Sequence, residues 1–128
     1  MKVFLALLGL PAAVLAQSLM QAPTPHADPR WQPPPSAERK HNPLANNPAA
    51  EAGGAKLFQQ QCAQCHGPKG RGIGDAPDLS RFEVQVESDG ALFWKITNGN
   101  LDRGMPSFAA LPRLERWQLV LHLRRLGK

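Results

Sequence analysis

Apolar residues recur at helical spacing in three stretches of the chain. In the first, Leu57, Phe58 and Cys62 share one face of a helix that ends near the cysteines. In the second, "SDGALFWKITNG", a Ser88/Asp89 cap precedes Leu92, Phe93 and Ile96, and Gly99 marks the stop. The third, "LPRLERWQLVLHLRRLGK", puts Pro112 in a first turn and Leu114, Trp117, Val120 and Leu121 in an apolar stripe. Arg124, Arg125 and Lys128 fall at its C-terminal end, where cations suit the helix dipole. Gly- and Pro-bearing loops separate these elements. "FEVQVESDG" alternates weakly, but a strand there would have no partner. The predicted fold class is all-α.

The N-terminal part follows different rules. "MKVFLALLGLPAAVLAQS" has one lysine, an apolar run from Val3 to Leu10, a breaker at Pro11, and small residues leading to Ala16. The run is well short of the ~20 residues that span a bilayer, so residues 1–16 read as a signal peptide and Gln17 as the mature start. No membrane span is expected after cleavage, and no cysteine follows that could carry a bacterial lipid anchor. Export to the oxidising periplasm is the predicted location. Residues 17–50 hold eight of the thirteen prolines and few sizeable apolar groups, so they read as a Pro-rich flexible tether. The folded domain is then residues 51–128. A core of that size is marginal without a staple. One closely spaced cysteine pair cannot tie distant segments together, whereas a large apolar cofactor would fill the gap.

That pair, Cys62 and Cys65, lies in "FQQQCAQCHGPKGRG" with His66 directly after. Three chemistries use such a cluster. A redox dithiol needs a thiolate stabilised at a helix N-terminus after a strand, and no such pattern precedes these cysteines. A zinc site could recruit Cys62, Cys65, His66 and His122, although adjacent Cys65 and His66 are awkward for one tetrahedron. Covalent haem attachment uses the same spacing: two thiols reach the two vinyl groups on one porphyrin edge, and the adjacent histidine lies under the iron. Met105, in "RGMPSF", is 39 residues beyond His66 and offers a soft thioether as the other axial ligand. Its alternative is core filler.

Residues 51–128 resemble class I c-type cytochromes, in particular small bacterial monohaem domains. The matching pieces are "GAKLFQQQCAQCHGPKGRG", "DAPDLS", "SDGALFWKITNGNLDRGMPSF" and "LERWQLVLHLRRL", in that order. The resemblance implies a helical bundle around one haem c, covalent through Cys62 and Cys65, with iron held by His66 and Met105. It also implies that the Pro77 carbonyl meets the second nitrogen of His66, and that Leu79, Trp94, Ile96 and Phe108 line the pocket. His122 stands where the family usually has an aromatic, and packing on the N-terminal helix is its expected role. The implied function is electron transfer without bond chemistry, no residue being catalytic. The alternatives are a haem enzyme or gas sensor that displaces the methionine, or a cytochrome subunit of a larger complex. Expected partners are redox proteins (a dehydrogenase, a quinol-oxidising complex or a terminal oxidase), not nucleic acid. Arg113, Arg116, Arg124, Arg125 and Lys128 suggest a cationic docking face on the last helix.

Overall fold

The computed structural model describes residues 28–128. The signal peptide assigned to residues 1–16 lies outside the described residues, as does the tether from 17 to 27. The helices are α1 (Pro35–Glu38), α2 (Pro48–Gln61), α3 (Ala63–His66), α4 (Phe82–Gln85), α5 (Asp89–Asn98) and α6 (Arg113–Leu126). A single 3-10 turn, Leu101–Arg103, separates α5 from the loop leading to α6. Among the described residues there is no strand, only an isolated bridge between Asn100 and Met105. The all-α expectation agrees with this architecture.

Local chemistry sets the element ends. Asn47 caps α2 by accepting from the Ala50 amide at 3.0 Å, and Pro48 then occupies a first-turn position where its missing N–H costs nothing. Ser88 caps α5 through its hydroxyl, which accepts from the Ala91 amide at 3.1 Å. Pro112 stands one residue before α6, as its N-cap, instead of inside the first turn.

The core forms where α2, α5 and α6 meet. Phe58, Leu92, Phe93, Ile96, Trp117, Leu119, Val120 and Leu123 form one buried cluster, and Phe93 stacks on Trp117 with centroids 4.0 Å apart. The buried arc of α6 is thus Trp117, Leu119, Val120 and Leu123, and not the predicted stripe, since Leu114 is 55% exposed. At about 100° per residue the observed arc is rotated by roughly a quarter turn from the predicted one. The cause is that α6 must face α2 and α5 together, and a stripe read from one helix alone centres on a single neighbour.

The flexible-tether expectation fails for residues 28–50. Ala37 on α1 is buried, and α1 packs on α5. Asn42, 6% exposed, donates through Nδ2 to the Trp117 carbonyl at 3.0 Å. The Trp31 indole Nε1 donates to the Gly99 carbonyl at 2.7 Å. These residues form a strap across the bundle. A few specific polar contacts hold it, where a composition argument looks for bulk apolar area.

The docking face proposed for α6 is also smaller than its sequence suggests. Arg124 donates to Asp89 at 2.8 Å, to the Gln85 carbonyl at 2.8 Å, and to the Glu87 carbonyl. Arg116 reaches Thr97 at 2.6 Å and lies over the Phe93 ring, while Arg125 pairs with Glu51 at 3.1 Å. Most of these cations hold helices together.

Candidate functional site

The cysteine motif sits where α2 breaks and α3 begins. The Cys62 amide still donates to the Phe58 carbonyl at 2.9 Å, and the His66 amide then returns to the Cys62 carbonyl at 2.9 Å. One tight turn therefore carries Cys62, Cys65 and His66. Gly67, at φ 79°, ends it in a conformation that a side chain would resist.

The chain after the turn folds back on it. Gly72 donates to the His66 carbonyl at 2.7 Å, and Ile73 to the Cys65 carbonyl at 3.2 Å. A Cβ at Gly72 would lie 2.4 Å from the Ala76 carbonyl oxygen and 3.0 Å from Pro77, so this close return requires glycine. The return brings Pro77 to the histidine: His66 Nδ1 is 3.1 Å from the Pro77 carbonyl oxygen. A carbonyl can only accept, so Nδ1 carries the proton and Nε2 keeps its lone pair. Burial holds the His66 pKa below its usual value, against the opposing pull of the Pro77 bond, which favours the neutral ring a metal needs.

The two thiols are free and not bonded to each other. Burial, with the neighbouring Cys65, pushes the Cys62 thiol up to about 11. A catalytic dithiol requires the opposite shift, so that alternative is set aside. The zinc alternative fails on geometry. Among the described residues no three His, Cys, Asp or Glu side chains converge to hold a metal ion. His122 instead packs on Phe58, ring centroids 4.9 Å apart, and its Nε2 is buried without a partner.

Met105 belongs to a separate loop between α5 and α6. Asn100 and Met105 exchange two backbone hydrogen bonds, of 2.8 and 3.0 Å, and Phe108 donates to the Ile96 carbonyl at 3.1 Å. Of the other residues assigned to a pocket, Ile96 is in the core and Leu79 and Phe108 pack against it. Trp94 is half-buried and outside that cluster. Sequence reasoning missed Trp31 and Asn42, both dismissed with the proline-rich segment. A lone tryptophan in an otherwise polar stretch was the available signal.

The residues present fit a haem. Two unoxidised thiols, an oriented neutral imidazole and a thioether make a donor set suited to iron and to vinyl attachment. Ile73 and Leu101 are 57% and 76% exposed on the segments that carry the cysteines and Met105, apolar surface of the kind that a flat hydrophobic cofactor covers. Trp117 Nε1 is a buried donor with no acceptor, a polar group that an anionic substituent could satisfy.

Comparison with known proteins agrees with this chemistry. The family described as "Cytochrome C oxidase, cbb3-type, subunit III" matches residues 49–123, more than half of the chain. A cytochrome c550 of Pseudomonas aeruginosa is 36% identical over 70 residues, 52% of this chain and 48% of that protein. A quinohemoprotein alcohol dehydrogenase, ADH-IIG, of Pseudomonas putida is 36% identical over 92 residues, 70% of this chain and 11% of that protein. The chain thus spans about half the length of the first relative and a small part of the second.

Proposed function

Because the chain belongs to this family of c-type cytochromes, an electron-transfer family whose cofactor is haem c, we propose that it is a periplasmic electron carrier in which His66 and Met105 ligate iron. When bound, haem c supplies a one-electron Fe(III)/Fe(II) couple suited to outer-sphere transfer. The chain's own residues do the rest. Cys62 and Cys65 would anchor the group through thioethers, and the Pro77 carbonyl holds the His66 ring by its Nδ1 proton so that Nε2 is free to ligate iron. Ile96, Leu79 and Phe108, which lie in or against the core, and Trp94 would supply the apolar wall that keeps water from the metal and raises its potential.

The observation that carries the reading is the fixed His66 tautomer beside two free thiols. Met105 joins it because it is the sole methionine in residues 28–128 and both its backbone N–H and its carbonyl are held by Asn100. His66 and Met105 together would leave the iron no open position for a substrate, which favours a carrier over an enzyme. Residues 1–16 act as the export signal, cleaved before Gln17. Its partners are redox proteins: a dehydrogenase, a quinol-oxidising complex or a terminal oxidase.

The test is spectroscopic. Extraction into acidified organic solvent should leave the colour on the polypeptide, and the oxidised protein should show the far-red absorption of Met–Fe(III). Colour in the solvent rejects the covalent link, and a missing far-red band rejects Met105. A second reading, as the cytochrome part of a larger complex, draws on the match to a short stretch of a quinohemoprotein dehydrogenase. Purification from the native periplasm separates the two: a carrier elutes alone, a subunit with its partner.

A further inference from the structure

We propose that Trp31 is a positioning residue for the Met105 loop, acting through the Gly99 carbonyl; this rests on Met105 as an iron ligand. Three observations meet at Gly99. The residue is buried, and its carbonyl accepts from the Trp31 indole at 2.7 Å across 68 residues of sequence. Its φ is +64°, and a Cβ there would lie 2.4 Å from the backbone of Pro106, the residue after Met105. The next residue, Asn100, forms both backbone hydrogen bonds to Met105. Gly99 is therefore the pivot of the loop, and the strap grips that pivot.

The indole is itself held. Lys95 Nζ lies 4.6 Å from the ring centroid and is paired with Glu87 at 2.7 Å, so a fixed cation covers one face of the ring. Strap and loop otherwise border a cleft of about 240 Å³ lined by Trp31, Gly99, Asn100 and Leu101. Asp28, also on the strap, meets the Asn100 side chain, so the hydrogen bond to Gly99 is one of two direct ties between them and the one that reaches the pivot itself. A buried carbonyl that loses its donor is destabilised in the closed arrangement of the loop, so the loop opens more often. Opening releases the thioether.

The test uses the holoprotein and the rate of cyanide binding to the ferric form, which requires the methionine to leave. Trp31→Phe keeps an aromatic ring under Lys95 and deletes the N–H donor. Its cyanide rate should rise about five- to tenfold, as expected for one lost hydrogen bond to a buried acceptor, and its far-red band should weaken. Gly54→Ala, which strains the remote contact between α2 and α6, should lower global stability and leave the cyanide rate unchanged. Should Trp31→Phe fail to fold, Lys95→Gln, which uncovers the indole, should raise the rate about two- to threefold. A wild-type rate in the folded variant, with the far-red band intact, overturns the proposal. Equal acceleration in Gly54→Ala also overturns it, by making the effect one of global stability. Absence of the band from the wild-type protein removes Met105 as a ligand and takes this proposal with it, an outcome distinct from the other two.

Discussion

Gly54→Ala should destabilise the domain by about 2 kcal/mol, although alanine is the better helix former. Gly54 lies inside α2 at its crossing with α6. A Cβ there would lie 1.9 Å from the Gln118 backbone oxygen, 2.6 Å from its carbon and 3.3 Å from His122 Cβ. Ordinary contact begins near ~3.5 Å, so the first of these clashes must be relieved by moving one helix. A backbone carbonyl cannot rotate away, which puts the overpacking cost near ~3 kcal/mol, the upper end of its usual range. Helix propensity returns ~1 kcal/mol, leaving about 2. Gly53 is the internal control. Its Cβ would meet only the tip of the Gln118 side chain, at 3.0 Å from Oε1, and that tip can swing aside. Gly53→Ala should therefore stabilise slightly, by ~0.5 kcal/mol after the side chain adjusts. In guanidinium unfolding followed by tryptophan fluorescence, a slope of ~3–4 kcal/mol/M converts the first loss to a midpoint lowered by ~0.6 M. A Gly54→Ala midpoint at or above wild type, or an equal drop for Gly53→Ala, would refute the close helix approach.

Burial lowers the His122 pKa, with Glu51 on α2 pulling the other way. The unfolded chain therefore takes up the proton first, and stability falls as pH drops below about 6.5, the ordinary histidine value. His122→Phe should flatten the stability profile between about pH 7 and 5, and unchanged steepness in chemical denaturation would reject that assignment. Arg124→Ala strips donors from Asp89, from the Gln85 carbonyl at the end of α4 and from the Glu87 carbonyl beyond it. It should cost about 2 kcal/mol in the same unfolding assay, and a loss under about 0.5 would mean that water replaces the guanidinium. Cys62→Ala should leave haem attached through Cys65 alone, with the reduced pyridine haemochrome band moved to longer wavelength, whereas an unshifted band would deny Cys62 a bond.

Much of the fold could be read in the sequence because its signals are local. Ser88, Asp89 and Gly99 bound α5 in the chain as they do in space, and Cys62, Cys65 and His66 needed only their spacing. The strap was illegible for the converse reason. Its polar anchors meet partners from the far end of the chain, and a proline-rich composition describes only what such a segment cannot bury. The stripe on α6 failed similarly: Leu119 and Leu123 are buried by the joint placement of two neighbours, which no single-helix period encodes. The basic α6 face was misjudged because a guanidinium on a surface and one reaching helix-end carbonyls look alike in sequence.

The strap also sets an order of assembly. Asn42 bonds to a residue 75 positions later, and Trp31 to one 68 later, so both ties close loops that contain the whole attachment motif. Contacts so distant in sequence are late and slow to form. A nascent chain can fold α2 and the cysteine turn while its ends are still apart, so the thiols are in place before the strap closes. Closure of the strap is then a late step of folding, and it completes only when residues 99 and 117 have taken their final places.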